Sequence, residues 1–390
     1  MIGKTVPSGD KRLIGDEDYR NALSEDLTTT LNLATWERGW DIERLISRIR
    51  SQAESAESAS KRIRATVRHE IFPELKNHPR IREAGVYEAH PDWIRTVFES
   101  LLFPGRVEAV NSIVASHDSL ALGITQIGIA VAGYGGLSGT FSQRLFRKDM
   151  STRTGDALQE AMECIEARQS RSHMGRQDNL SKLVRRSIRA YAERAILLDR
   201  SKVEWRMGQG NPCSSEMISG SGYPSLLRAS LGLLRRLIQG HKKFVFVSQA
   251  LNDRGYLTLG DALKAGEYAI VQSLDVEASS FVANWEDYDD GTRDEAADFV
   301  SECCPDVLIG LFKASETALP RLFYAHREHV HIAAHIALAD SLVSPERGFP
   351  MLLDVADASC RGVFGSESFL GLVQDAYTRA GMKVHYFGER

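Results

Sequence analysis

The chain has 390 residues, 43% hydrophobic and 26% charged, a globular composition with enough apolar side chains for one large core or two smaller ones, so disorder is not the default. Its net charge of −4, from 48 basic and 52 acidic side chains, excludes a molecule that is a nucleic-acid binder over its whole surface, and any such site is a local patch. Cys164, Cys213, Cys303, Cys304 and Cys360 are odd in number and form no CxxC pair, which argues against a disulfide framework or a thiolate zinc site and for a reduced, cytoplasmic compartment. The start, MIGKTVPSGDKRLIGDED, has no apolar core of signal-peptide length, and no later run reaches the ~18 apolar residues of a membrane span, so no membrane partner is expected.

In chain order, Asp41 to Leu75 carries Ile42, Leu45, Ile46 and Ile49 at helical spacing, then a thinner stripe through Ala53, Ala56, Ile63 and Val67. This predicts a long amphipathic helix, either an arm on a second subunit or a hairpin on its own core. From Phe103-Pro-Gly105 the texture turns β-branched, and Arg106–Val114 and Leu120–Tyr134 read as neighbouring strands. Further strands are expected at Ala195–Asp199, Phe244–Ser248, Ala269–Ser273, Val307–Phe312 and Val330–Ala337. Helices are expected at Asp156–Ser170, Asn179–Arg194, Pro224–Gln239 and Ser366–Ala380. Early adjacent strands followed by alternating helices and strands make a mixed α/β sheet. The chain therefore reads as a helical region over residues 1–100 and one domain over 101–390, with an acidic loop inserted at about 285–300.

Three acids stand out. Asp199 closes the apolar run of YAERAILLDRS, Glu193 lies six residues before it, and Asp357 follows Asp354 in PMLLDVADAS. An acid at a strand end sits where α/β sheets bind ligands, and carboxylates from separate elements are what Mg²⁺ or Mn²⁺ needs to cleave a phosphodiester. The plainer alternatives are a turn at Asp199, surface pairing of Glu193 with Arg189 or Arg194, and a solvated face at Asp354 and Asp357. Basic residues cluster nearby with aromatic rings between them: Arg144, Arg147 and Lys148 beside Phe141 and Phe146, then Arg185, Arg186, Arg189 and Arg194, and finally Arg235, Arg236, Lys242 and Lys243. That interleaving suits a nucleic-acid track, with cations on phosphates and rings under bases, although solvated helix faces look similar. His326, His329, His331 and His335 share no face of any one regular element, which disfavours a metal cluster. The glycine turns at Gly133–Gly139 and Ser219–Pro224 lack P-loop and dinucleotide spacing.

The early strand pair, ILLDRS, FVFVS and the closing VHIAAHIALADSLVSPERGFPMLLDVADAS before a last helix together resemble the NurA nuclease family over most of residues 100–390. The resemblance implies an RNase H-like, PIWI-related α/β fold with a mixed sheet flanked by helices, and a homodimer. It further implies a Mn²⁺- or Mg²⁺-dependent deoxyribonuclease that works with a HerA-type hexameric ATPase in DNA repair or antiviral defence. Asp199 then matches the family's second strand-borne aspartate, normally Leu-Asp-Gly-Ser, with Arg200 in place of glycine. Glu193 is the candidate for the family's glutamate, with Glu160 and Glu163 as alternatives, and Asp357 stands where relatives often place Ala-His. The basic clusters supply the expected DNA contacts: Arg144, Arg147, Lys148, Arg185, Arg186 and Arg189. The family's first aspartate falls at Asn111, a neutral amide, and losing that anion predicts much weaker metal binding. Glu108 or Asp118 would have to compensate, or the chain is a catalytically degenerate subunit that binds DNA or docks the ATPase. Glu108 is odd-spaced from Asn111 and would need a bulge to reach its face.

Overall fold

The computed structural model describes residues 15–36, 42–119, 122–148, 183–251, 253–285 and 288–383, together with Leu158 and Met162. The chain divides into two compact units, Met1–Arg62 and Ile63–Arg390. The expected amphipathic helix is α1 (Ile42–Thr66), with Ile42, Leu45, Ile46 and Ile49 exposed. Its path continues through a π-helical turn at Val67–Ile71, where Val67 and Phe72 enter the core of the second unit.

The second unit is built on a nine-stranded sheet of order β1-β7-β8-β9-β6-β5-β2-β3-β4. The strands are β1 (Gly85–Glu88), β2 (Val107–Asp118), β3 (Gly123–Gly133), β4 (Gly136–Arg147), β5 (Trp205–Gln209), β6 (Phe244–Val247), β7 (Glu267–Ser273), β8 (Val307–Phe312) and β9 (Arg321–His326). β2, β3 and β4 form an antiparallel meander, then β5 lies parallel to β2 and β6 parallel to β5. A meander continued from its first strand by two parallel strands is the RNase H-like arrangement. β1 pairs with β7, so residues 85–88 belong to the sheet and not to a separate helical region.

Strand periodicity sorts the core into two layers. Val110, Ile127, Ile129 and Val131 face one layer with α2 (Arg189–Arg200), α3 (Pro224–Arg235) and α4 (Asp290–Cys303). Ala109 and Ala132 face the other, with α5 (Val330–Ser341) and α6 (Met351–Phe364), while α7 (Ser366–Arg379) covers Ala115 and Ile124.

Three expectations are corrected. Ala195–Asp199 is the second half of α2 and not a strand: a five-residue apolar run is too short to distinguish the two, and the helix buries Leu197 while leaving Asp199 outside. Val330–Ala337 is also helical, in a segment buried almost all round, so no polar face betrays its period. The acidic segment at 285–300 is mostly α4 and not a loop, capped by Asp289, whose carboxylate accepts the Thr292 N–H at 2.8 Å. The expected helix Asp156–Ser170, with Glu160 and Glu163, lies outside the described residues.

Candidate nucleic-acid cleft

β2 presents different chemistry on its two faces. Ser112, even-numbered like Val110, faces α2, and its hydroxyl hydrogen-bonds the Glu193 carboxylate. Arg189, one helical turn earlier, donates from Nε to Ser112 Oγ at 2.7 Å and from Nη2 to the Ser112 carbonyl at 2.9 Å. A serine hydroxyl therefore stands opposite the buried glutamate, clamped by a guanidinium. Asn111 faces the other way and accepts the Ser112 N–H at 2.7 Å. Beneath it, the Cys360 thiol of α6 donates to the Asn111 carbonyl at 3.1 Å, and burial pushes that thiol up to about 12.

Glu193 opens onto a cleft of about 310 Å³ lined by Arg185, Arg186, Arg189, Gln209 and Glu216. The cleft lies where β5 ends: Gly210 follows Gln209 at φ +77°, a left-handed turn that favours glycine and swings Asn211 toward the helix. Arg194 is spent on structure, donating to the Pro212 carbonyl at 2.8 Å and the Asn211 carbonyl at 2.6 Å, which fixes that turn to α2. Burial opposes ionisation of Glu216, but hydrogen bonds from its own backbone N–H, Ser214 and Ser215, with Arg186 nearby, bring it below its ordinary range. The cleft thus holds two carboxylates inside a ring of guanidinium groups.

The other expected ligands do not arrive here. Asp199 is six residues beyond Glu193, about 9 Å along the helix axis and on a different side of it. It is exposed and ion-paired with Arg236. Asp357 lies on α6, across the sheet from Glu193, and accepts from Arg361 Nε at 2.8 Å. Glu108 shares the Ser112 face, but the β2–β3 register from residue 109 to 118 is regular, so Glu108 stays about 13 Å away along the strand. Its carboxylate accepts the Ser138 hydroxyl. Asp118 ends β2 in an exposed pair with Arg185 at 3.2 Å. Among the described residues, no group of three or more His, Cys, Asp or Glu side chains is placed to hold a metal ion. The histidines separate too: His326 caps a turn, while His331 hydrogen-bonds Tyr268 at 3.0 Å.

The expected DNA-binding residues also divide. Arg185, Arg186 and Arg189 line the cleft, whereas Arg144 and Lys148 line a separate groove beside α7, and Arg147 ends β4. Gln209 and Glu216 were missed from sequence. The signal for Gln209 was a glycine directly after a buried five-residue run, WRMGQG, masked by the arginine and glycine inside the strand.

No protein-family model matches the chain, and no curated protein matches it. Among solved structures, the NurA nuclease from Sulfolobus solfataricus aligns over 87% of this chain and 99% of its own, at 10% identity and a TM-score of 0.44. A NurA structure with manganese aligns over 83% and 98%, at 9% identity and 0.45. Human endonuclease V aligns over 80% and 99%, at 12% identity and 0.33. The chain is similar to NurA nucleases.

Proposed function

We propose that this protein is a catalytically degenerate DNA-binding subunit of NurA-like type, which grips the phosphodiester backbone in the Glu193 cleft and carries no working hydrolytic centre there. The observation that carries this reading is the cleft itself: three arginines surround Glu193, while the strand residues beside it are Gln209 on the cleft wall and the buried Ser112 bonded to its carboxylate. Guanidinium groups recognise phosphate by paired, charge-assisted hydrogen bonds. In this reading Gln209-Gly210, and not Asp199-Arg200, takes the place of the family's Asp-Gly turn, so both strand positions are neutral. A Mn²⁺ or Mg²⁺ centre built on Asp199, Glu193 and Asp357 does not fit these positions, because Asp199 and Asp357 lie away from the cleft. The resemblance supplies the remaining parts of the proposal: a homodimer, and a HerA-type ATPase as the partner that would bring catalysis or translocation in repair or phage defence.

A second reading, a metal-dependent deoxyribonuclease, is favoured by Glu193 and Glu216 lining one cleft with the amide side chains of Gln209 and Asn211. The first reading is tested by binding of a fluorescent DNA oligonucleotide to wild type and to Arg185→Glu/Arg186→Glu, both exposed positions. The expected result is a roughly 100-fold weaker affinity and a shallower salt dependence, by about two in slope. Unchanged affinity in the folded variant would contradict it.

A further inference from the structure

Away from the cleft, a groove of about 560 Å³ runs between the end of the β2–β4 meander and α7. Its helical wall is Phe369, Leu372, Val373, Ala376, Tyr377 and Ala380, spaced at i, i+3, i+4, i+7, i+8 and i+11. This is an apolar stripe along three turns, about 16 Å long, in which Phe369, Val373 and Tyr377 form the base, packed on Ala115 and Ile124, and Leu372, Ala376 and Ala380 stay exposed. The opposite wall comes from β4 and the residue after it, where strand periodicity sets Arg144, Phe146 and Lys148 on one side. Phe146 and Leu372 are each 62% exposed, so the groove displays two large side chains that the described residues leave uncovered. Among the described lining residues the ionised side chains are Arg144 and Lys148, and none is a carboxylate.

We infer that this groove docks an amphipathic helix of a partner protein, with leucine-like anchors facing α7 and carboxylates facing Arg144 and Lys148. The length of the stripe sets the partner segment at about 11 residues, or three turns. The spacing of the wall matches the ridges of a second helix, and the two cations at the strand wall fix the sign of the partner's flank. This surface is independent of the DNA cleft.

The test uses the full chain and a fluorescent helical peptide of about 15 residues, with leucines on one face and glutamates on the flank, alongside a twin carrying lysines for the glutamates. The acidic peptide is expected to bind and the basic twin to bind at least tenfold more weakly. Leu372→Glu should abolish acidic-peptide binding, and Arg144→Glu should weaken it about fivefold and remove its salt dependence. Both substitutions are at the surface, and unchanged melting temperature verifies folding. Equal binding of the two peptides, or no binding of either, overturns the proposal. Self-association of the protein that is lost in Leu372→Glu, with no peptide binding, assigns the groove to a second copy and also overturns it. Loss of oligonucleotide affinity in Leu372→Glu without peptide binding would instead assign it to nucleic-acid bases. A failed DNA assay with intact peptide binding leaves this inference standing while removing the cleft reading.

Discussion

The two faces of β2 teach different lessons although they are one residue apart in sequence. Toward α6 the strand is close-packed: Ile113, Ala130, Cys360 and Phe364 form a small apolar cluster, and Gly128 has no room for a side chain because a Cβ there would lie 2.3 Å from the Phe364 ring. Toward α2 the same strand carries the buried Ser112 under Arg189 and beside Glu193, a polar contact behind the residues that line the cleft. The first arrangement stabilises the fold, and the second leaves charge where a ligand can meet it. The proposed DNA contact thus lies on the face where Ser112 and Glu193 interrupt an otherwise apolar core.

The comparison breaks most easily on the packed side. Phe364→Ala should cost about 3 kcal/mol of stability in denaturant unfolding, through lost burial and the cavity left behind, without altering DNA affinity per folded molecule. An accompanying loss of affinity would mean that the two faces are coupled.

Next in size is a pH effect far from the cleft. Asp340 is fully buried, and burial raises its carboxyl from 3.8 to about 6, against hydrogen bonds from Tyr134 at 2.6 Å and from the Leu352 N–H at 2.9 Å. The folded state therefore holds this proton where the unfolded chain has released it. Stability from this group is present below about pH 4 and is lost as pH rises through about 6, by roughly 3 kcal/mol. Asp340→Asn should flatten that part of the stability profile, as measured by urea midpoints at several pH values.

On the cleft side, Glu193→Gln removes an anion that faces phosphate and should tighten DNA binding about fivefold at low salt. A working metal site would give the opposite result, with binding or cleavage in Mn²⁺ diminished by the same change. The smallest effect belongs to Asp199→Ala. Its pair with Arg236 is exposed, so stability should move by less than about 0.5 kcal/mol and DNA affinity should not move.

What was legible in the sequence follows from how local each signal is. β2, β6, β7 and β8 are β-branched or aromatic runs that announce themselves, as does the periodic stripe of α1. β4 was hidden because its side chains are polar and its start is glycine-rich, and β5 because Arg206 and Gly208 interrupt it. α5 lost its period to burial on every side. At the site, Glu193 and its arginines could be named because α2 is amphipathic. Gln209 and Glu216 could not, since they come from the end of β5 and the short helix Ser215–Ser219 after its turn, which Arg194 ties to α2. Asp199 misled because a strand-like apolar run and a charged end mimic a sheet edge when the chain is in fact helical.

The most direct test of a DNA cleft without a hydrolytic centre is one titration of labelled DNA with wild-type protein, in Mn²⁺ and in EDTA, following bound fraction and strand integrity together. The account predicts equal binding in both and intact DNA throughout. Strand cleavage that requires Mn²⁺ and disappears in Glu193→Gln would contradict it and establish a nuclease.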